Sequence, residues 1–447
     1  MAAVALAAAV AGAATGVGLG LHPWRANTGR PTPLSAAPYA ASPEGVPSLG
    51  AASATKPPLP PLSSPCAAPT SQGTPTLIDD LSMFSPTAGW AQEVAGGTIL
   101  HTTNGAQLWT AASPPLSGGQ QILAVSFVSA EIARAVTGPL SSCDGEAPPA
   151  ADLSVWGTQD GGATWSADGT LMAPTLFGAT LDFVNSLDGW LSIGEGGGAN
   201  GSGMVLYHTV DGGADWQEVA STDSASAQLA EGISLGAAGS IPIGFDVGTI
   251  SFIDASTGWI TGTTGGTGAV LAVTGDGGTT WSSQPLPGGA GLVQPGITAP
   301  HFWSGQGGWL LVYAPATQQV LIYLTTDGGQ DWSPISLPGG GQIPVAVDFV
   351  AAAVGWVLTD AESEGGQETS QTLWATVNGG GSWEPVSGDA ALSTLDFVDA
   401  EDGWAITTAD TGEAAPGSAV PALLQTTDGG ATWTAVSVGM SAPPASP

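Results

Sequence analysis

STLDFVDAEDGWAITT at residues 393–408, followed by ALLQTTDGGATWTAV at 422–436, contains the two phrases that decide how the whole chain is read. The second phrase runs Thr or a near equivalent, then Asp or Asn, Gly, usually Gly again, and a Trp five residues after the acid or amide. It recurs seven times, at Asn104–Trp109, Asp160–Trp165, Asp211–Trp216, Asp276–Trp281, Asp327–Trp332, Asn378–Trp383 and Asp428–Trp433. Successive anchors lie 56, 51, 65, 51, 51 and 50 residues apart. A repeat of that length marks a propeller or a solenoid rather than an ordinary globular domain.

The first phrase is Phe, six residues, then Trp, usually with Gly before the Trp. It occurs at Phe183–Trp190, Phe252–Trp259, Phe302–Trp309, Phe349–Trp356 and Phe397–Trp404. Met83–Trp90 carries Met in the Phe place, and after Phe127 the Trp place holds Arg134. The two sets interleave one to one. Each unit is therefore two pairs of short apolar runs that alternate with period two and break at Gly and Asp, which is a hairpin signature. Two hairpins per unit give a four-stranded meander, and seven meanders give a ring. A linear β-solenoid usually needs shorter rungs.

The expected fold is all-β, a seven-bladed propeller of four-stranded antiparallel blades over residues 76–440. The repeat spacing places the blades at 76–117, 118–174, 175–220, 244–290, 291–340, 341–388 and 389–440, with a tail at 441–447. Blades that bury both faces against neighbours explain how a chain with 43% hydrophobic and 9% charged residues stays soluble.

Thr-x-Asp-Gly-Gly-x-Thr-Trp resembles the Asp-box, or bacterial neuraminidase repeat, of sialidases, sortilin-type receptors and double-propeller xyloglucan hydrolases. With the added Phe-x6-Trp phrase and its "DGW", the chain is most similar to the photosystem II stability/assembly factor family of seven-bladed propellers. The resemblance spans roughly Thr76 to Val438. It implies the fold and a general scaffold role, and little about activity, because unrelated functions share the fold. In that family it also implies chaperoning of a membrane-protein subunit through an arginine-rich patch, which this chain lacks.

The repeated acids and aromatics have structural readings. Asp or Asn before Gly-Gly suits a tight turn, where the side chain bonds nearby N–H groups and Gly accepts positive φ. Asn104 and Asn378 serve a turn and would not serve as general acids. The Trp that follows covers the turn with its ring. Trp156 and Trp374 sit four residues before an anchor, where Tyr207 and Tyr323 also sit, and Trp303 follows Phe302. His101 and His208 share the place three before an anchor, which reads as an edge-strand role.

Outside the repeat, residues 1–22 read as a signal peptide or membrane anchor, being Ala, Gly, Val and Leu almost throughout. Arg25 and Arg30 follow this stretch, and no basic residue precedes it. Either the Met1 amino group supplies the positive end or the start lies upstream. Residues 23–75 read as a disordered Pro/Ala/Ser-rich tether. Export to the outside or the cell surface follows, and Cys66 and Cys143 become candidates for one disulfide pinning the tether to the ring.

The chain has 4 Lys and Arg against 37 Asp and Glu, and Arg134 is the single Lys or Arg from residue 76 onward. Nucleic acid is excluded as a partner, since phosphate binding needs clustered cations, and anionic membranes would repel the chain. The arginine triad of a sialidase is unavailable. The xyloglucan hydrolases use two Asp carboxylates across a cleft between two propellers, and one propeller is present here. His22, His101, His208 and His301 show no metal spacing, so no metal or cofactor is expected.

Both phrases should turn on one face of the ring. The opposite face then carries connections of unequal length, Thr137–Asp152, Glu195–Gly203, Ser221–Ile243, Asp360–Gln371 and Asp410–Ala419. Variable loops on a rigid scaffold are where binding usually resides. The binding candidates are Asp144, Glu146, Glu195, Asp360, Glu362, Glu364, Asp410 and Glu413, with Asp223, Glu231 and Glu368 on the same loops. The expected function is a non-catalytic exported scaffold, monomeric, holding a protein or glycan partner on this face. The alternative is an extracellular glycoside hydrolase using an Asp/Glu pair there. Loop acids converging on a ring axis would be relieved by an acidic medium, a basic partner segment or a bound cation. No dense Asp-x-Asp-x-Asp-Gly run supplies calcium.

Overall fold

The computed structural model describes residues 78–93, 97–139, 151–173, 176, 178–198, 201–222, 239, 241, 246–264, 268–289, 292, 296–314, 319–337, 343–360, 371–387, 392–407, 422–436 and 439–441. The apolar segment 1–22, the tether 23–75, Cys66 and Cys143 lie outside these residues. Seven antiparallel sheets follow one another in chain order, over 78–111, 120–173, 179–221, 246–284, 296–335, 343–387 and 392–435. Each is a four-stranded meander; in the fifth, the first strand is split into Gly296–Ile297 and His301–Phe302 around Pro300, which has no N–H for a ladder. The sheets form a seven-bladed β-propeller.

Gly439–Ser441 run parallel to Leu108–Ala111 as a fifth strand on blade 1. Gly439 and Met440, which the repeat spacing puts in the seventh unit, thus lie on the first sheet and tie the end of the chain back to its beginning.

The buried apolar residues fall into seven clusters, and each cluster joins one blade to the next. The two phrases build every seam. In four seams the Trp of the first phrase lies flat on the Phe of the following blade: Trp90 on Phe127 (5.1 Å between centroids), Trp190 on Phe252 (3.7 Å), Trp259 on Phe302 (4.9 Å) and Trp356 on Phe397 (3.6 Å). The Trp of the second phrase meets the Phe of its own blade edge-on, as Trp216 does Phe183 at 6.0 Å and 86°. Such offset and edge contacts add about 0.5–1.5 kcal/mol each beyond the area they bury.

First strands of neighbouring blades touch one another and so line the axis. The residue before the Phe in one blade bonds the next blade. Ser126 Oγ accepts the Phe183 N–H, Asp182 Oδ2 the Phe252 N–H (2.6 Å), Asp348 Oδ2 the Phe397 N–H and Asp396 Oδ2 the Met83 N–H. Ser251 Oγ donates to the Pro300 carbonyl in the corresponding place.

Candidate functional site

In every blade the first phrase joins strands one and two, and the second joins strands three and four; in blade 3, Phe183 ends one strand and Gly189 opens the next, while Asp211 lies between Gly201–Thr209 and Gln217–Ser221. The two turns of a blade are also bonded to each other. The N–H of the residue after each anchor donates to a carbonyl in the Phe-to-Trp turn of its own blade, at 2.8–3.0 Å in all seven blades, from Gly105 to Thr87 through Gly429 to Glu401. Both turns therefore share one face, as their spacing predicts.

The turn acids are consumed by the turn. Thr102, Thr158, Thr209, Thr274, Thr325, Thr376 and Thr426 donate their hydroxyls to the anchor Oδ1 at 2.8–3.1 Å. The same hydroxyls accept the N–H of the residue two past the anchor at 2.9–3.2 Å. Oδ1 also accepts the N–H four residues on, at 2.8–3.0 Å. Asn104 and Asn378 make the same bonds, since an amide oxygen accepts as a carboxylate does. In Asp160, Asp276 and Asp428 partial burial opposes ionisation, and the donors of the turn outweigh it, holding each carboxyl below its usual range. The Asp331 N–H, ahead of the Thr325 hydroxyl, does the same for Asp327. Groups already so bonded are poor candidates for chemistry.

Arg134, the lone basic residue of the ring, is structural too. Its guanidinium sits 5.6 Å over the Phe183 ring, where other blades place a Trp, and donates to the Ser186 carbonyl at 2.8 Å. Asp168 lies 3.6 Å from Nε. Burial lowers the proton affinity of this guanidinium, and Asp168 works the other way. His101 and His208 lie on third strands, inside their sheets rather than on the edge expected for them, and face Trp90 and Trp190 at 4.5 and 4.4 Å. The alternation of the strand turns them onto the same side as those rings. Trp156 and Trp374 share a third-strand position and bond Thr137 and Thr359 at 3.0 Å each.

On the opposite face the structure describes Asp360 in full. It ends Gly355–Asp360, pairs with Ile343 and Gln371, and is half-buried. Burial pushes its carboxyl above the usual range, and a hydrogen bond from Gln371 opposes this. Oδ1 is buried without a hydrogen-bond partner among the described residues. Gln371 in turn brackets Leu392 of blade 7, donating to its carbonyl at 3.0 Å and accepting its N–H at 2.7 Å. A buried carboxyl oxygen thus lies, without a partner among the described residues, beside the seam between blades 6 and 7. Glu195 falls where the register shifts between Gly194 and Gly196, a bulge within Gly189–Gly198 that re-aims the backbone. Asp144, Glu146, Glu362, Glu364, Asp410 and Glu413, with Asp223, Glu231 and Glu368, lie outside the described residues. Among the described residues no three His, Cys, Asp or Glu come together as a metal site.

The axial carboxyls Asp182, Asp348 and Asp396 were not among the sequence candidates. The dipeptide Asp-Phe at 182–183, 348–349 and 396–397 was the legible signal for them.

The fold defines a class, the seven-bladed β-propeller whose blades each turn from the third strand to the fourth through an Asp-Gly or Asn-Gly phrase. Solved structures similar to this chain include YCF48 from Cyanidioschyzon merolae, at 16% identity and a TM-score of 0.46, covering 80% of this chain and 97% of that one. YCF48 bound to a D1 peptide is similar at 15% identity and a TM-score of 0.44, over 74% and 90%. The GH74 xyloglucanase of Xanthomonas campestris is similar at 16% and 0.47, over 83% of this chain and 55% of that chain. At these identities the likeness is one of fold. No family model and no curated protein matches the chain.

Proposed function

We propose that this chain is an exported binding or assembly scaffold that holds a protein or glycan partner on its variable-loop face. One observation carries the reading: seven equivalent backbone ties lock the short-turn face, and at the other face Asp360 is half-buried with an Oδ1 that has no hydrogen-bond partner among the described residues. A rigid ring with one occupied and one adjustable face is a display platform, and loops on such a platform carry recognition. The residues that would make contact are Asp360, Glu195 and the loop acids beside them. Arrays of peptides and glycans probed with purified protein test this. Binding should fall at least tenfold in Asp360→Asn combined with Glu362→Gln and Glu364→Gln. Unchanged binding there, with loss on Asp399→Asn and Glu401→Gln of the short-turn face, would sink the reading.

Asp360 also favours a second reading. A carboxyl pushed up by burial is what a glycosidic general acid requires, provided a second carboxylate stands 5–10 Å away, roughly, across the bond. Hydrolysis of a polysaccharide panel, lost in Asp360→Asn, would move the chain into that class.

A further inference from the structure

The seven seams are not chemically equal, and the one between blades 3 and 4 carries an ionisable row. Asp182, Trp190 and His208 are direct neighbours across three adjacent strands, Ala179–Phe183, Gly189–Gly198 and Gly201–Thr209, and share one side of the sheet. That side faces blade 4. Asp182 is 1% exposed and takes the Phe252 N–H. The Trp190 ring lies on Phe252 on one side and His208 on the other, 3.7 and 4.4 Å away, and its Nε1 donates to the Gly277 carbonyl at 2.9 Å. His208 Nε2 is buried without a hydrogen-bond partner among the described residues.

We propose that this seam is a proton-operated joint, closed while the Asp182 carboxyl carries its proton and loosened once that carboxyl ionises. No cation faces it. The packed first strand of blade 2, Gln120–Phe127, has no titratable residue. Arg134 in the next strand of blade 2 lies over Phe183, which points to the opposite side of the sheet from Asp182. Glu195 lies beyond the stretch of its strand that pairs with Ala179–Phe183, and Asp246 opens its strand, so both stand away from Phe183 and Phe252. Blade 4's Asp254 and Asp276 are held by donors of their own turns, Ser256 and Thr257, and Thr274 and Thr280. His208 is separated from Asp182 by the Trp190 ring; burial lowers its affinity for a proton, and Asp188 opposes that.

A buried carboxyl with a single backbone donor and no counter-charge holds its proton to higher pH. Burial, offset in part by the Phe252 N–H, raises Asp182 from 3.8 to about 7. Opening the seam returns it to the ordinary value, so the open form binds fewer protons between about pH 4 and pH 7. Rising pH in that window therefore favours opening, and the closed form keeps its full advantage only below it. His208 acts with the opposite sign and only on the acid side of 6.5, where the closed seam must hold it neutral. The link from Ser221 to Asp246 is the longest between blades, and it inserts Ile241, fully buried, among Trp190, Phe252 and Trp281.

Amide hydrogen exchange on the intact chain decides the matter, with the preceding seam as reference. The Phe252 amide bonds a titrating group, and the Phe183 amide bonds the Ser126 hydroxyl, which does not titrate. From pH 6 to pH 8.5 the ionisation of Asp182 alone lowers protection of Phe252 relative to Phe183 about tenfold. Loss of the His208 proton from the open form offsets about fourfold of this, so the ratio, corrected for intrinsic rates, should fall about threefold. In Asp182→Asn, whose amide oxygen keeps the acceptor, only His208 remains to titrate, and the ratio should instead rise, by up to about fourfold. A constant ratio in the wild-type chain overturns the proposal, and this outcome is readable even if the variant does not fold. An equal fall in wild type and Asp182→Asn overturns it as well.

Discussion

Gly329 and Ala106 occupy the same place in two turns, and they show how closely a single residue is specified. Both sit in the left-handed region, at φ +76° and +68°. Gly329 lies against the Trp259 ring, so a Cβ there would strike an indole that is already stacked on Phe302. Gly329→Ala should cost about 2–4 kcal/mol, the sum of left-handed strain and overpacking, read from urea unfolding midpoints. Asp331 offers the reverse case. Thr164, Thr280 and Thr432 stand at that position in other turns and donate a hydroxyl to the anchor Oδ2 at 2.6–2.7 Å. Asp331→Thr gives Asp327 the same donor and removes a neighbouring like charge. It should raise the melting temperature by roughly 1–2 °C. Arg134→Ala should lower stability by about 2–4 kcal/mol, because it strands Asp168 and the Ser186 carbonyl and leaves the Phe183 face uncovered. Arg134 could be read from the sequence as a break in the Phe-x6-Trp phrase. Its role could not, since the ring it covers belongs to another blade.

At the scale of elements, the closing strand is the most informative. Gly439–Ser441 pair with Leu108, Trp109 and Thr110 across the junction of the chain's two ends. A chain stopped after Val438 should lose about 2–3 kcal/mol, on the order of three backbone hydrogen bonds. It should also expose the edge at Leu108–Ala111 to proteolysis, and an unchanged melting temperature would show that ring closure does not depend on this strand. The hairpins themselves were legible because alternation and Gly-Gly turns are local properties. The closing strand was not, because three residues carry no periodicity and their partner lies more than 300 positions earlier.

For the whole molecule, 37 acidic residues face four Lys and Arg, and one of those four, Arg134, is buried. Self-repulsion at neutral pH is then the dominant long-range term. Raising salt from about 10 to about 500 mM at pH 7.5 shortens the Debye length from roughly 30 to roughly 4 Å, and the melting temperature should rise by several degrees. At pH 4, with most surface carboxyls near their titration midpoint, the rise should shrink to about a third or less. An acid limit exists as well. Asp160, Asp276, Asp327 and Asp428 are held below their ordinary 3.8, so the folded chain binds fewer protons than the unfolded one there. Their contribution is present above 3.8 and is lost as pH falls through the lower folded values. Melting curves from pH 2 to pH 8 should therefore turn down steeply below about pH 4, and curves flat to pH 2 would refute the turn assignment.

Seven phrases, five Asp-Gly-Gly and two that open with Asn-Gly, recurring every 50–65 residues, determined the blade, the number of blades and the face on which the short turns lie. These follow from local rules, since a turn residue, an alternating strand and a fixed repeat length need no knowledge of what lies across the molecule. Tertiary structure decided the rest. It alone put Trp190 on Phe252 of the following blade, laid the Arg134 guanidinium over Phe183 of another blade, and buried Asp182 at one seam while leaving an oxygen of Asp360 buried and without a partner among the described residues at another. Burial and charge environment come from residues one whole blade away in sequence, and no local pattern encodes which carboxyl will be left without water or a counter-ion.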